Sequence, residues 1–252
     1  MWIDKDVLYR QYEQCVFDAY LPQSNGFTTI VYFHGGGLVE GDKADENNQE
    51  LAKAFVEAGY AFISANYRMY TQGAKYPDFL VDAAQAVAFV KENYADKLGN
   101  GKLLISGQSA GAWISAMLCM DKQWLAGVGI DAENIDGWLI DSAQMTSHFH
   151  LLEFEEKVNP WLQRIDKYAP VYFVGEGVRV SPMFLTFYEK DMLCRVEQNQ
   201  MFINALKFFN PHADVTGCLL PGGHCHGTVY KDEDGQFAFL KVALPWLKER
   251  SL

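Results

Sequence analysis

Residues 105–111 read Ile-Ser-Gly-Gln-Ser-Ala-Gly, which places Ser109 between two glycines directly after the apolar run at residues 102–105. The apolar spacing of residues 112–118, which follow, is typical of a helix buried on most sides. A strand, a glycine-flanked serine and a helix in this order predict a sharp turn that holds the hydroxyl exposed and strained, as a nucleophile requires. The alternative is a turn in which small residues only let the chain reverse.

The composition limits which partners we expect. The chain has 252 residues, 49% of them hydrophobic, and a formal net charge of -11. Nucleic acids and anionic membrane surfaces bind clustered Lys and Arg side chains, so this acidic chain is expected to bind neither. Five scattered cysteines without a Cys-x-x-Cys pair predict neither a disulfide framework nor a zinc site, and they favour a reducing cytoplasm.

The N-terminal residues and the length of the chain predict a soluble, single-domain protein. Residues 1–14 are polar and charged where a signal peptide would be apolar, and no apolar run is long enough to span a membrane. A chain of this size and hydrophobic content is expected to form one α/β domain over residues 1–252. Residues 142–180 are irregular and rich in aromatic side chains, which predicts a small lid. The sequence does not predict an oligomeric state.

Short apolar runs alternate along the chain with longer segments that carry apolar residues every three or four positions. This alternation predicts a mostly parallel, twisted sheet of about seven or eight strands with helices on both faces. Residues 15–21 alternate weakly and end at Pro22, which predicts an antiparallel edge strand. The other predicted strands are residues 29–33, 61–65, 102–106, 137–140, 183–188 and 215–220. The predicted helices are residues 48–58, 79–93, 113–120, 196–208 and 236–248.

A histidine and three glycines, residues 34–37, directly follow one of these predicted strands. Glycines lack a Cβ, so their backbone N–H groups can approach a negatively charged oxygen closely. We therefore expect the N–H groups of Gly35 and Gly36, with that of Ala110 after the serine, to form an oxyanion hole. A phosphate-binding loop is the alternative, but Asp42 stands where that pattern needs a lysine.

A serine nucleophile needs a base and a carboxylate that orients the base. Two carboxylates follow the predicted strand at residues 183–188, Glu189 directly after it and Asp191 two residues further on. Asp191 is preferred as the orienting carboxylate, with Glu189 and Asp141, which follows another predicted strand, as alternatives. The base is expected in the glycine-rich segment after the last strand, where His224 and His226 both lie, because an imidazole is a suitable general base near neutral pH. A metal site at these two histidines is the alternative. No other His or Cys completes it, so no metal or cofactor is expected.

The chain order of these motifs is that of the α/β-hydrolase fold: HGGG, then GQSAG, then an aspartate after a strand, then a late histidine. The stretches FHGGGLVEGDK at residues 33–43, SANYRMY at 64–70 and YPDFLVDAAQAVAFV at 76–90 carry a more specific likeness. With them, the chain resembles the bacterial esterase and lipase branch of that fold, which is related to hormone-sensitive lipase and to small acyl and carbohydrate esterases. The resemblance covers residues 15–250 and implies a small cap or none.

The resemblance implies roles for the candidate residues. Ser109 would be the nucleophile and Asp191 the acid, and His226 would be the base because it lies in a Gly-x-x-His-Gly context. From their positions in the sequence, and not from the resemblance, Leu38 after the glycines and His148 are the candidates for substrate contact, with packing and capping as the alternative. The oxyanion donors would be Gly35, Gly36 and Ala110.

The implied activity is hydrolysis of short-chain carboxylic esters, with acetyl or similar acyl groups and a small-molecule alcohol that includes carbohydrates. Two alternatives stay open. An amide hydrolase of the arylformamidase type would use the same triad, and a hydrolase fold kept as a binding protein would use none of it.

Overall fold

A computed structural model describes residues 1–252, and its centre is one sheet of eight strands. The strands are β1 (Trp2–Leu8), β2 (Val16–Leu21), β3 (Thr29–Phe33), β4 (Ala61–Ala65), β5 (Leu103–Gln108), β6 (Gly137–Asp141), β7 (Met183–Lys190) and β8 (Val215–Gly223). Their order across the sheet is β1-β2-β4-β3-β5-β6-β7-β8. Strands β3 to β8 run parallel, whereas β2 is antiparallel to β4 and β1 is antiparallel to β2.

Helices cover both faces of the sheet. The parallel strands carry apolar side chains on both faces, and the helices bury them. The helices are α1 (Glu46–Glu57), α2 (Asp78–Val90), α3 (Ala110–Met120), α4 (Gln123–Ala126), α5 (Phe149–Phe154), α6 (Arg195–Phe209), α7 (His226–Val229) and α8 (Ala238–Glu249). Helices α1 and α8 pack in the smaller core, and α2, α3 and α6 pack in the larger one. The predicted mostly parallel sheet with helices on both faces is confirmed. None of the helices combines the length and the apolar content that crossing a bilayer needs.

The predicted edge strand is antiparallel, as expected, but it is not the edge. Strand β2 lies inside the sheet between β4 and β1, and β1 forms the edge. The sequence did not reveal β1 because nearly all of its side chains are exposed, so it has no apolar alternation. Its backbone pairing with β2 holds it in place instead.

Residues 142–180 contain little regular structure, only α5 and a short 3-10 turn at Pro170–Phe173. A hydrogen bond ties the segment to α3: the indole Nε1 of Trp113 donates to the carbonyl of Tyr168 at 3.0 Å. A second tie lies within the segment, where the N–H of Ser147 donates to the carbonyl of Arg164 at 2.8 Å. A lid function for this segment stays a prediction.

A buried ion pair joins the loop after β3 to the sheet. The Nζ of Lys43 lies 2.6 Å from Oδ1 of Asp18 on β2, and both side chains are almost fully buried. The other carboxylate that contacts Lys43, from Asp6, is largely exposed. The glycines at residues 35–37 belong to this loop, so the pair helps to fix their position.

Replacing Asp18 by alanine is expected to lower the free energy of unfolding by about 3 to 5 kcal/mol, because the Lys43 ammonium then stays buried without its main partner. Urea unfolding measures the loss. Glu92→Ala is the matched control, since it removes one partner of an exposed pair with Lys97 and is expected to cost less than about 1 kcal/mol. Equal losses in the two variants would show that the buried pair does not stabilise the fold.

Candidate active site

Ser109 occupies a strained turn between β5 and α3. Its backbone has φ 53° and ψ -113°, a conformation that costs energy for a residue with a side chain. The turn closes because Gly107 and Gly111 lack side chains. A Cβ on Gly107 would lie 2.3 Å from the backbone of Gly111, and one on Gly111 would lie 1.9 Å from the carbonyl oxygen of Phe33. The glycines therefore allow the tight turn that projects the serine hydroxyl at the end of the strand.

A chain of hydrogen bonds runs from this hydroxyl through a histidine to a carboxylate. Oγ of Ser109 lies 2.8 Å from Nε2 of His224, and Nδ1 of His224 lies 2.5 Å from Oδ1 of Asp191. The Asp191 side chain is fully buried, whereas that of His224 is 26% exposed. The same carboxylate oxygen accepts the N–H of Met192 at 2.6 Å, which fixes its orientation. Each of the three residues directly follows the last residue of a parallel strand, β5, β7 or β8.

The structure places His224, not the predicted His226, beside Ser109. Strand β8 continues past its predicted end at residue 220, because Gly223 pairs with Lys190 of β7. His224 is then the first residue beyond the strand end. Cys225 follows with φ 58° and directly precedes α7. His226 therefore turns away, and its ring packs near Tyr230 with the ring centroids 5.1 Å apart. The preference for His226 as the base is therefore corrected: His224, the alternative, is the histidine that lies beside Ser109.

The three candidate carboxylates have different surroundings. Asp191 contacts His224, as described. Glu189 is exposed near the end of β7 and lies in no ion pair with a histidine. Asp141 is fully buried and accepts hydrogen bonds from hydroxyl groups, not from a histidine. Only Asp191 is thus placed to orient the imidazole.

The glycines at residues 35–37 lie against the serine. A Cβ on Gly35 would be 3.3 Å from Cβ of Ser109, so the backbone of this loop passes directly beside the nucleophile. The N–H groups of Gly35 and Gly36 donate to no other group of the chain, and Ala110 is the first residue of α3, where helical N–H groups have no partner within the helix. These donors are available to an oxygen bound near Oγ.

His34 holds the start of this loop. Its ring is stacked on that of Tyr67, with centroids 4.6 Å apart, and the Tyr67 hydroxyl donates to the His34 carbonyl at 2.9 Å. Burial lowers the pKa of His34 below the ordinary histidine value, so the ring is neutral near pH 7. This neutral, buried ring braces the loop and does not reach Ser109.

Ser109 opens into a cleft of about 740 Å³ whose lining is mainly polar. Of the residues that line it, Gly35, Gly36, Ser109 and His224 were candidates from the sequence, whereas most of the polar side chains were not. The sequence could have indicated Gln108, because it directly precedes the serine. The other polar lining residues come from the loop after β3, the start of α1 and the segment after β8, which the chain brings together only when it folds. The polar or aromatic side chains that line the cleft besides Ser109 and His224 include Glu40, Asp42, Asp45, Asn47, Asn48, Gln108 and Tyr230.

The predicted substrate contacts Leu38 and His148 do not line this cleft. Leu38 is fully buried in the larger core, and His148 is 1% exposed. The His148 ring packs between Trp113 and Phe149, with centroids 5.2 and 4.6 Å away. Burial lowers the pKa of His148 well below the ordinary histidine value. We therefore correct the prediction: both side chains pack in the interior next to the site.

Residues 17–144 match the model of the BD-FAE family. The chain is 31% identical over 100 residues to Esterase LipI of Mycobacterium tuberculosis, and this match covers 39% of this chain and 30% of LipI. It is 30% identical over 103 residues to Carboxylic ester hydrolase LipN of the same organism, covering 40% of this chain and 27% of LipN. The chain therefore spans less than a third of the length of these two curated relatives.

A solved structure extends the likeness over nearly the whole chain. The propionate-bound form of Est2, a thermophilic esterase from Thermogutta terrifontis, matches with a TM-score of 0.75 over 98% of this chain and 93% of that one. The sequence identity is 20%, so this likeness concerns the fold.

Proposed function

The chain belongs to the BD-FAE family and has the α/β-hydrolase fold, and from this premise we propose that it is a serine hydrolase of short-chain carboxylic esters. The observation that carries the proposal is the chain of hydrogen bonds from Ser109 through His224 to Asp191. The names of LipI and LipN, both ester hydrolases, support the same reaction class.

The proposed reaction proceeds through an acyl-enzyme. Ser109 Oγ attacks the ester carbonyl while Nε2 of His224 takes the hydroxyl proton, and Asp191 stabilises the imidazolium that forms. The backbone N–H groups beside the serine stabilise the negative oxygen of the tetrahedral intermediate. His224 then gives its proton to the leaving alcohol. In the second half, a water molecule loses a proton to His224 and attacks the acyl carbonyl. The bond between the acyl carbon and Oγ of Ser109 then breaks, Oγ takes the proton back from His224, and the acid is released.

The donors of the proposed oxyanion hole are the N–H groups of Gly35, Gly36 and Ala110. Their support is the closeness of Gly35 to the serine and the lack of other acceptors for the two glycine N–H groups. They stabilise the intermediate more than the substrate, because the oxygen gains its charge only when Oγ attacks. No metal or cofactor takes part in this proposal.

The cleft supports a polar alcohol portion. Three carboxylates line it, from Glu40, Asp42 and Asp45, and no Lys or Arg side chain does. Hydroxyl groups of a sugar or other polyol donate well to carboxylate oxygens, whereas an anionic alcohol would be repelled. A short acyl group is supported by propionate bound to Est2, a protein with the same fold.

A two-way substrate panel tests this specificity. With 4-nitrophenol as the fixed alcohol, kcat/KM is expected to be highest for acetyl or propionyl and at least about tenfold lower for octanoyl. With acetyl fixed, a neutral acetylated sugar is expected to exceed an acetyl ester that carries a carboxylate on its alcohol. A formyl amide in the same panel separates esterase from arylformamidase activity. Faster turnover of the formyl amide or of octanoyl would contradict the proposed substrate class.

A further inference from the structure

A second buried carboxylate lies close to the candidate triad without belonging to it. Asp141, the last residue of β6, is fully buried and lies in no ion pair. Its Oδ1 accepts the hydroxyls of Thr186 at 2.6 Å and Tyr188 at 2.8 Å, and its Oδ2 accepts that of Thr228 at 2.6 Å. Burial raises the pKa of Asp141 above the ordinary aspartate value, and these hydroxyl bonds oppose that rise. A group this costly to bury calls for a reason.

Two of its contacts lead into the loop that carries His224. We define the histidine loop as residues 224–229. Thr228 belongs to it directly, and the N–H of Gly227 donates to the Tyr188 hydroxyl at 3.0 Å. The Tyr188 hydroxyl thus accepts from Gly227 through its oxygen and donates its hydrogen to Asp141. Next to it, the N–H of Cys225 donates to Oγ of Ser142 at 3.0 Å. The ends of β6 and β7 therefore hold the histidine loop at three points.

Asp141 also holds the nucleophile turn. Its backbone carbonyl accepts the N–H of Ser109 at 2.9 Å. One residue thus fixes the backbone of the serine through its carbonyl and the histidine loop through its carboxylate. Thr186 differs from Thr228 in this respect, because its hydroxyl bonds the same carboxylate from within β7 and not from the histidine loop.

Helix α7 of the histidine loop also packs against α8, α1 and β8, so the contacts with Asp141, Tyr188 and Ser142 act together with this packing. Helix α7 has only four residues, and Cys225 before it has a left-handed backbone with φ 58°. Yet the Ser109 to His224 hydrogen bond must keep its geometry for proton transfer, and misplacement by about 1 Å can cost about 100-fold in rate.

We propose that Asp141, with Thr228 and Tyr188, is a positioning cluster that sets the distance between His224 and Ser109. The inference rests on the proposed function, because it concerns the same serine and histidine. Thr228→Val and Thr186→Val form a matched pair, since each replaces one hydroxyl on Asp141 by a methyl group and only the first loosens the histidine loop. Thr228→Ser keeps the hydroxyl and serves as the rescue variant.

Thr228→Val is expected to lower kcat on an activated acetyl ester by about 10- to 100-fold, with KM within twofold of wild type. Thr186→Val is expected to stay within threefold in both, and Thr228→Ser to restore kcat. A proton NMR spectrum gives a readout beyond turnover. The low-field signal of the His224 Nδ1 proton is expected to broaden in Thr228→Val and to persist in Thr186→Val.

The results for these variants either support the positioning cluster or overturn it. Equal kcat and equal NMR signals in the two valine variants would overturn the inference, as would a failure of Thr228→Ser to recover. If Thr228→Val does not fold, Tyr188→Phe replaces it, because that change removes the hydroxyl that bonds both Asp141 and Gly227. A wild-type protein that neither hydrolyses the ester nor reacts with a fluorophosphonate refutes the proposed function itself. An active wild type with indistinguishable valine variants refutes only the positioning cluster.

Discussion

Replacing Ser109 by alanine is expected to lower kcat for an acetyl ester by on the order of 10^5- to 10^6-fold, since no other group of the site can form the acyl-enzyme. The strained turn stays intact, because its glycines and the buried helix α3 are unchanged. Some rate above that of water is expected to remain, because the oxyanion donors still stabilise attack by a water molecule. Ester hydrolysis under saturating substrate measures the loss.

The fold of this variant needs its own check. Urea unfolding of Ser109→Ala is expected to match wild type within about 1 kcal/mol, because alanine keeps the Cβ and therefore the same backbone strain at positive φ. A variant that folds normally and keeps a wild-type kcat would show that ester hydrolysis takes place elsewhere on the chain.

Replacing His224 by glutamine is expected to have an effect of the same size as Ser109→Ala, because the hydroxyl then has no base. His226→Gln is the matched control. It changes an exposed imidazole two residues away and is expected to stay within about threefold of wild type, the scale of ordinary surface substitutions. Steady-state kinetics of both variants at several pH values make the comparison.

The double variant sharpens this comparison. The effects of replacing residues that act as one unit are not additive. The kcat of Ser109→Ala combined with His224→Gln is therefore expected to lie within a few fold of that of either single variant. A large loss in His226→Gln with normal turnover in His224→Gln would instead restore the original choice of base and contradict the geometry.

Much of the fold followed from local patterns. The strand before Ser109 and the helix after it are both buried elements whose apolar residues are contiguous or periodic, and the glycines of the turn stand at fixed positions. Asp191 is predictable in the same way, as a carboxylate shortly after a buried strand, but the local pattern does not separate it from Glu189. Strand β1 was missed because its side chains face solvent and its pairing with β2 runs through the backbone, which leaves no pattern in the side chains.

The base could not be chosen from local patterns, because the choice depends on where β8 ends. That end is set by pairing across the sheet, where Gly223 meets Lys190, and this contact joins residues far apart in the sequence. The observed strand ends reveal the common pattern, in which Ser109, Asp191 and His224 each directly follow a strand. Leu38 and His148 failed for a related reason, since other parts of the fold bury them.

His224, held by Asp191, is proposed to activate Ser109. The most direct measurement of this activation is the reaction of the protein with a fluorophosphonate, with the modified residue located by tandem mass spectrometry. One adduct is expected, on Ser109, formed at similar rates in wild type and His226→Gln and strongly slowed in His224→Gln. An adduct on another residue, or unchanged labelling of Ser109 after loss of the His224 imidazole, would contradict it.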